Sequence, residues 1–275
     1  MTWLTAPFAF PFMVEAMLIA VMVSIPAALL SCFLVLRGWA LMGDGISHAV
    51  LPGIVLAYLA GIPLLIGAFV AGMICALSAG WLDANSRIKP DTTLGVVMAG
   101  MFGLGLVIYT QFPTDVHLDH ILFGNILGVG PDDFLSAGSI SAVVGLVLVL
   151  KWRDFALLVF DPVQARVAGL AVGWLHYGML AMISAVVVAM LSAVGIILSV
   201  ALLIAPGAIA FLLTRRLQAM LVLSVVIGAG CSLAGIWISF WLDSAPAPTI
   251  VVVMTALFTL VFFWRQLTVR RRPAA

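Results

Sequence analysis

The chain is 275 residues long, 65% hydrophobic and 8% charged, with a mean hydropathy of +1.29. That composition excludes a soluble domain, because uninterrupted apolar stretches of about 18 residues or more read as membrane spans. A net charge of +1 offers nothing to a nucleic acid. The expected fold is all-α: a single polytopic bundle of membrane-spanning helices over residues 1–275, with membrane lipid as its solvent.

Nine spans are predicted, at roughly 12–36, 45–60, 62–82, 92–111, 134–150, 172–193, 195–213, 218–241 and 247–264. The first has no basic n-region and no small-residue cleavage site ahead of it, so it reads as a retained span. Pro26, Pro52 and Pro206 interrupt spans and imply kinks or broken helices. Gly95, Gly100, Gly103 and Gly105 crowd the fourth span, and Gly228, Gly230 and Gly235 the eighth. Small residues there let helices approach closely or give way during gating. The segment 112–133 carries Asp115, Asp119, Asp132 and Asp133. Its apolar piece, 121–127, is too short to span and is expected to be re-entrant or interfacial. The uncharged run between Arg166 and Arg215 is too long for one crossing at about 1.5 Å per residue, so it must turn back near Gly195.

Basic residues set the orientation. With nine spans, Arg37, Arg87, Lys89, Lys151, Arg153, Arg166, Arg215, Arg216 and the tail from Arg265 to Arg272 share one side, taken as the inside. The N-terminus is then outside. If the first apolar run lies on the surface instead, eight spans remain and the N-terminus moves inside.

Asp44 and His48 stand out, because ionisable groups at the membrane boundary are costly. Four residues apart on a helix, they share a face with Cβ atoms about 5–6 Å apart. A carboxylate and a neutral imidazole at that separation can hold one divalent cation, and this mixed donor set suits Mn²⁺, Fe²⁺ or Zn²⁺. Asp44 as a helix cap with His48 facing a neighbour fits the spacing equally well. A second cluster, Asp115, His117, Asp119 and His120, could guide metal inward, dock a partner or lie solvated. His176, beside Tyr177, reads as bonded to a neighbour or as a further ligand. Cys32, Cys75 and Cys231 are scattered through apolar runs and read as small buried hydrophobes.

The sequence has no GxxxxGK[ST], HExxH or GxSxG. Three readings remain for an ion mover of this kind: a channel, a gradient-driven carrier, or the membrane half of a pump. A non-transporting scaffold is a further alternative. The inner stretch 161–170, DPVQARVAGL, reads as a short amphipathic helix ended by Gly169 that could dock a cytoplasmic motor or rest on the membrane.

The segment LRGWALMGDGISHAVLPG (36–53) resembles the signature of the manganese, zinc and iron permease family of bacterial ABC importers. The likeness continues in SRIKPDTTLG (86–95), HLDHILFGNILGV (117–129), DPVQARVAGL (161–170) and SAVGIILSVALLIAPGAIA (192–210), and so covers most of the chain. It implies a permease subunit without enzymatic activity or cofactor of its own, in a bacterial inner membrane. The implied cargo is Mn²⁺ or Fe²⁺, with Zn²⁺ as an alternative; the HLDH segment resembles the manganese and iron members more. The implied partners are a cytoplasmic ATP-binding subunit, an extracytoplasmic metal-binding protein and a second permease copy or homologous permease. By resemblance, Asp44 and His48 match the family's Asp-x-x-x-His metal motif. Asp161, Gln164, Arg166 and Gly169 fall in its ATPase-coupling region, and Gly45 replaces a common alanine.

Overall fold

Prolines open most of the helices and glycines close several. In the computed structural model, which describes residues 6–112 and 126–270, a 3-10 turn (Ala6–Ala9) leads into α1 (Pro11–Arg37). Then come α2 (Met42–Ala49), α3 (Leu51–Ala60), α4 (Leu64–Asn85), α5 (Pro90–Gln111), α6 (Pro131–Phe160), α7 (Pro162–Val167), α8 (Val172–Leu213), α9 (Leu217–Leu242) and α10 (Pro246–Arg270). Proline occupies the first or second position of α1, α3, α5, α6 and α7, where its missing N–H costs nothing. At the ends of α1 and α3, Gly38 (φ 74°) and Gly61 (φ 68°) take the left-handed conformation and donate to carbonyls of the last turn. No strand occurs among the described residues. Among the described residues, eight stretches are long and apolar enough to cross a membrane, with α2 and α3 together forming one of them.

The longest of these, α8, doubles back. Gly195 has φ 79° and ψ 176°, outside helical space. On the near side of that break, His176 Nδ1 lies 3.3 Å from Arg37 Nη2. On the far side, Gly207 abuts Ser31 so closely that a Cβ would sit 2.6 Å from its carbonyl oxygen. Ser31 and Arg37 are only about 9 Å apart along α1, whereas a straight helix would separate residues 176 and 207 by about 46 Å. The run therefore crosses twice, as its length required, which brings the passes to nine.

The helices sort into two groups. α1 packs against α6 and α9, and α9 against α10; α2, α3, α4 and α5 pack among themselves. α8 has broad contacts with both groups. The core is mainly apolar, with buried serines such as Ser31, Ser199 and Ser232 bonded to backbone carbonyls of their own helices, and the three cysteines are buried and free, as expected.

Some expectations need correction. α6 runs to Phe160, ten residues past the predicted 150, so the stretch expected to be a loop after Lys151 continues the helix. Lys151 Nζ and Asp154 Oδ2, 3.1 Å apart, pair on that extension and make its charges compatible with helix. Close packing holds for Gly105, Gly228 and Gly235, which face Pro52, Ala28 and Ile250, but Gly95, Gly100, Gly103 and Gly230 face open space. The tightest approach lies elsewhere: on Gly53 of α3 or Gly67 of α4, a Cβ would overlap the other's carbonyl.

Candidate metal site

α2 is a short helix buried on nearly every side. Gly43 lies against Leu203 of α8, Gly45 against Leu94 of α5, and Ile46 against Gly72 of α4. Met42, Gly43, Gly45, Ile46, Ser47 and Ala49 are all buried. Asp44 and His48 are its two partly open positions, with side chains 35% and 33% exposed. The neighbouring glycines explain how α2 fits so tightly that its polar face is left as the single opening. The helical ladder is interrupted at Val50, which keeps helical φ/ψ (−73°, −18°), and Pro52 is the second residue of α3, so the predicted second span is one crossing with a local interruption and the pair on its first segment.

His48 Nε2 lies 3.5 Å from Asp44 Oδ1. That is long for an N–H···O hydrogen bond, which falls at about 2.7–3.2 Å. It matches the separation of two ligands on one metal: bonds of about 2.0–2.2 Å at angles between tetrahedral and octahedral put the donors about 2.8–3.6 Å apart. The edge of the His48 ring meets Phe102 of α5, with centroids 5.6 Å apart, which fixes the ring plane. Asp44 does not cap α2: the N-cap position is Leu41, and no side-chain cap bond is made. Among the described residues no group of three or more His, Cys, Asp or Glu could hold a metal. The pair by itself therefore offers two donors, fewer than a complete metal site needs.

The other predicted residues are distributed as follows. Asp115, His117, Asp119 and His120 lie outside the described residues, as does the predicted apolar piece over 121–125. Asp132 and Asp133 line a cavity of about 560 Å³ between the start of α4 and the Gly195 turn. The 161–170 stretch forms the expected short helix. Asp161 Oδ1 caps α7, accepting from the backbone N–H groups of Val163 (3.0 Å) and Gln164 (2.9 Å). Arg166 lies in its last turn, and Gly169 closes it at φ 79°. Val163 and Val167, one turn apart, are 70% and 84% exposed and give α7 an open apolar face.

Sequence reasoning missed a second polar cluster. The reading of His176 as bonded to a neighbour holds: Arg37 Nη2 donates to it at 3.3 Å, and its ring meets the Trp39 ring in a T-shaped contact with centroids 5.5 Å apart. The Arg37 guanidinium sits 4.2 Å above the Trp39 ring. These partners are 139 residues apart in sequence, so no local pattern announces them.

The pattern of the ABC 3 transport family matches residues 9–265. The chain belongs to that family. It is 48% identical over 268 residues to a probable iron transport system membrane protein of Haemophilus influenzae, covering 98% of this chain and 99% of that one. It is 44% identical over 257 residues to the manganese transport system membrane protein MntC of Halalkalibacterium halodurans, covering 93% and 88%. Among solved structures, PsaBC from Streptococcus pneumoniae in complex with Fab superposes with a TM-score of 0.83 at 34% identity, covering 94% of each chain. As a member of the family, the chain is a multi-pass membrane transport subunit, and the fold expected from sequence holds.

Proposed function

We propose that this chain is the permease subunit of an importer that carries manganese or iron across a bacterial inner membrane, with Asp44 and His48 as the transient metal ligands. The observation that carries the proposal is the 3.5 Å spacing of one carboxylate oxygen and one imidazole nitrogen at the only partly open positions of a buried helix. The relatives named for iron and manganese transport support the cargo. Mixed oxygen and nitrogen donors suit these cations and suit alkali ions poorly.

A second permease copy supplies the missing ligands by presenting its own pair across the pathway. An extracytoplasmic binding protein delivers the ion at the acidic end, and a cytoplasmic ATP-binding subunit docks on α7. Asp161, Gln164, Arg166 and Gly169 shape that docking helix, and Val163 and Val167 supply its apolar contact. Docking of the motor alternately opens the pair to either side, and the ion is held only while both protomers' pairs face it. His48 ligates only as neutral imidazole, because an imidazolium has no lone pair to give.

The test is metal uptake in cells carrying Asp44→Ala or His48→Ala at unchanged membrane abundance. Both variants are expected to lose uptake; undiminished uptake in both would defeat the assignment.

A further inference from the structure

The Arg37 cluster lies where the two helix groups meet, at the same end as α7. Arg37 is the last residue of α1, and Gly38 then turns the chain so that Trp39 N donates to Leu34 O at 2.8 Å. The carbonyl of Trp39 in turn accepts from Met42 N, the first residue of α2, at 3.0 Å. Trp39 is therefore tied at one end to α1 and at the other to the helix that carries Asp44 and His48. Against this tie sits His176, one turn into α8. The link from α7 to that turn has little slack: Leu170 N donates to Ala165 O at 3.0 Å, and Val172 N to Leu170 O at 2.9 Å.

A guanidinium can only donate, so His176 Nδ1 is the acceptor and the ring carries its proton on Nε2. Nε2 points toward Gly80 of α4, where even an added Cβ would stay 4.0 Å away. Asp83, also on α4, is close enough to act on Arg37 through its charge. Nη1 of Arg37 is buried without a hydrogen-bond partner among the described residues. The Nη2 contact with His176 is thus a side-chain hydrogen bond that compensates this half-buried cation, and breaking it leaves the guanidinium less well satisfied. Such a contact favours being either made or broken over sliding continuously. Beside it, a cavity of about 20 Å³, bounded by Trp39, Met42, Gly80, Asp83 and Leu94, has room for about one water molecule.

We infer that Arg37, Trp39 and His176 form a latch that transmits displacement of α7, through the first turn of α8, to α2 and its metal pair. Arg37 and His176 are then positioning residues for transport: they touch no ion, and they set when Asp44 and His48 face each side. The inference rests on the permease reading and adds the path by which the motor reaches the site.

The test uses the complete importer, with its ATP-binding subunit, in liposomes, and measures manganese ions moved per ATP hydrolysed. This ratio does not depend on how much complex folds. His176→Ala is expected to keep ATP hydrolysis and lower the ratio by roughly fivefold or more, the range of ordinary coupling between sites. Arg37→Lys, which keeps the charge but loses the planar stack on Trp39, is expected to lower it similarly. His176→Asn, whose amide oxygen can accept from Arg37, is expected to restore most of the ratio. An unchanged ratio in His176→Ala, or no recovery in His176→Asn, would overturn the latch. If the unsubstituted complex hydrolyses ATP and moves no manganese, the importer reading itself fails.

Discussion

Two histidines in this molecule sit beside charged partners, and the fold treats them in opposite ways. His176 is partnered: Arg37 donates to one ring nitrogen, and the Trp39 and Tyr177 rings pack against it with centroids 5.5 Å away. His48 is left open: its one polar neighbour, Asp44, is too far for a good hydrogen bond, and both side chains keep about a third of their exposure. An imidazole with the neighbours of His176 has its acceptor nitrogen assigned within the protein and serves geometry. An open imidazole beside an open carboxylate keeps its bonding capacity for something not part of the chain. The contrast locates function better than residue type does, because the two histidines are chemically the same.

The comparison is broken or sharpened most strongly at the open pair. Asp44→Ala and His48→Ala should each lower metal uptake by on the order of 100-fold, the upper end of what losing even an outer-sphere partner costs a metal site. Membrane abundance should hold, because neither side chain secures the fold. If uptake survived while abundance fell, as expected for a partnered structural group, the contrast would collapse.

The pair was legible in the sequence because both side chains fall within about one helical turn, so spacing alone puts them on a common face. Most span positions and the turn near Gly195 were legible for similar reasons, since each is written in a local run. The latch was not legible, because its partners meet only after α1 and α8 fold against each other. Nor was the full length of α6: Lys151, Arg153 and Asp154 look like a loop in a membrane protein, yet helix tolerates them once it leaves the apolar layer. The remaining metal ligands are invisible to any reading of one chain if a second copy supplies them.

Next in size is the end where force enters. Val163→Asp or Val167→Asp places a charge on the open apolar face of α7, and recovery of the ATP-binding subunit with the permease should fall about tenfold, as for a central interface residue. Normal co-purification from both variants would move the docking surface elsewhere. Asp161→Ala removes the α7 cap, worth about 1 kcal/mol. It should weaken the same association several-fold without altering the thermal midpoint of the isolated permease. A large drop in that midpoint would make the cap a part of the global fold instead.

The smallest effect is expected at Gly45→Ala. An added methyl would meet Leu94 Cδ1 at 2.8 Å and Cγ at 2.9 Å, so the branched end of that side chain must shift as a unit. Stability should fall by about 1 kcal/mol, with uptake unchanged. A large loss of uptake there would show that the α2–α5 contact, rather than the open pair alone, limits transport.

The most direct test of the central claim is pulsed electron paramagnetic resonance of Mn²⁺ bound to the purified importer, with ¹⁵N-labelled histidine in the permease chain. The account predicts a directly bound imidazole nitrogen coupled to manganese, and its disappearance in His48→Ala. Manganese bound without any such coupling, or a coupling that persists in His48→Ala, would contradict it.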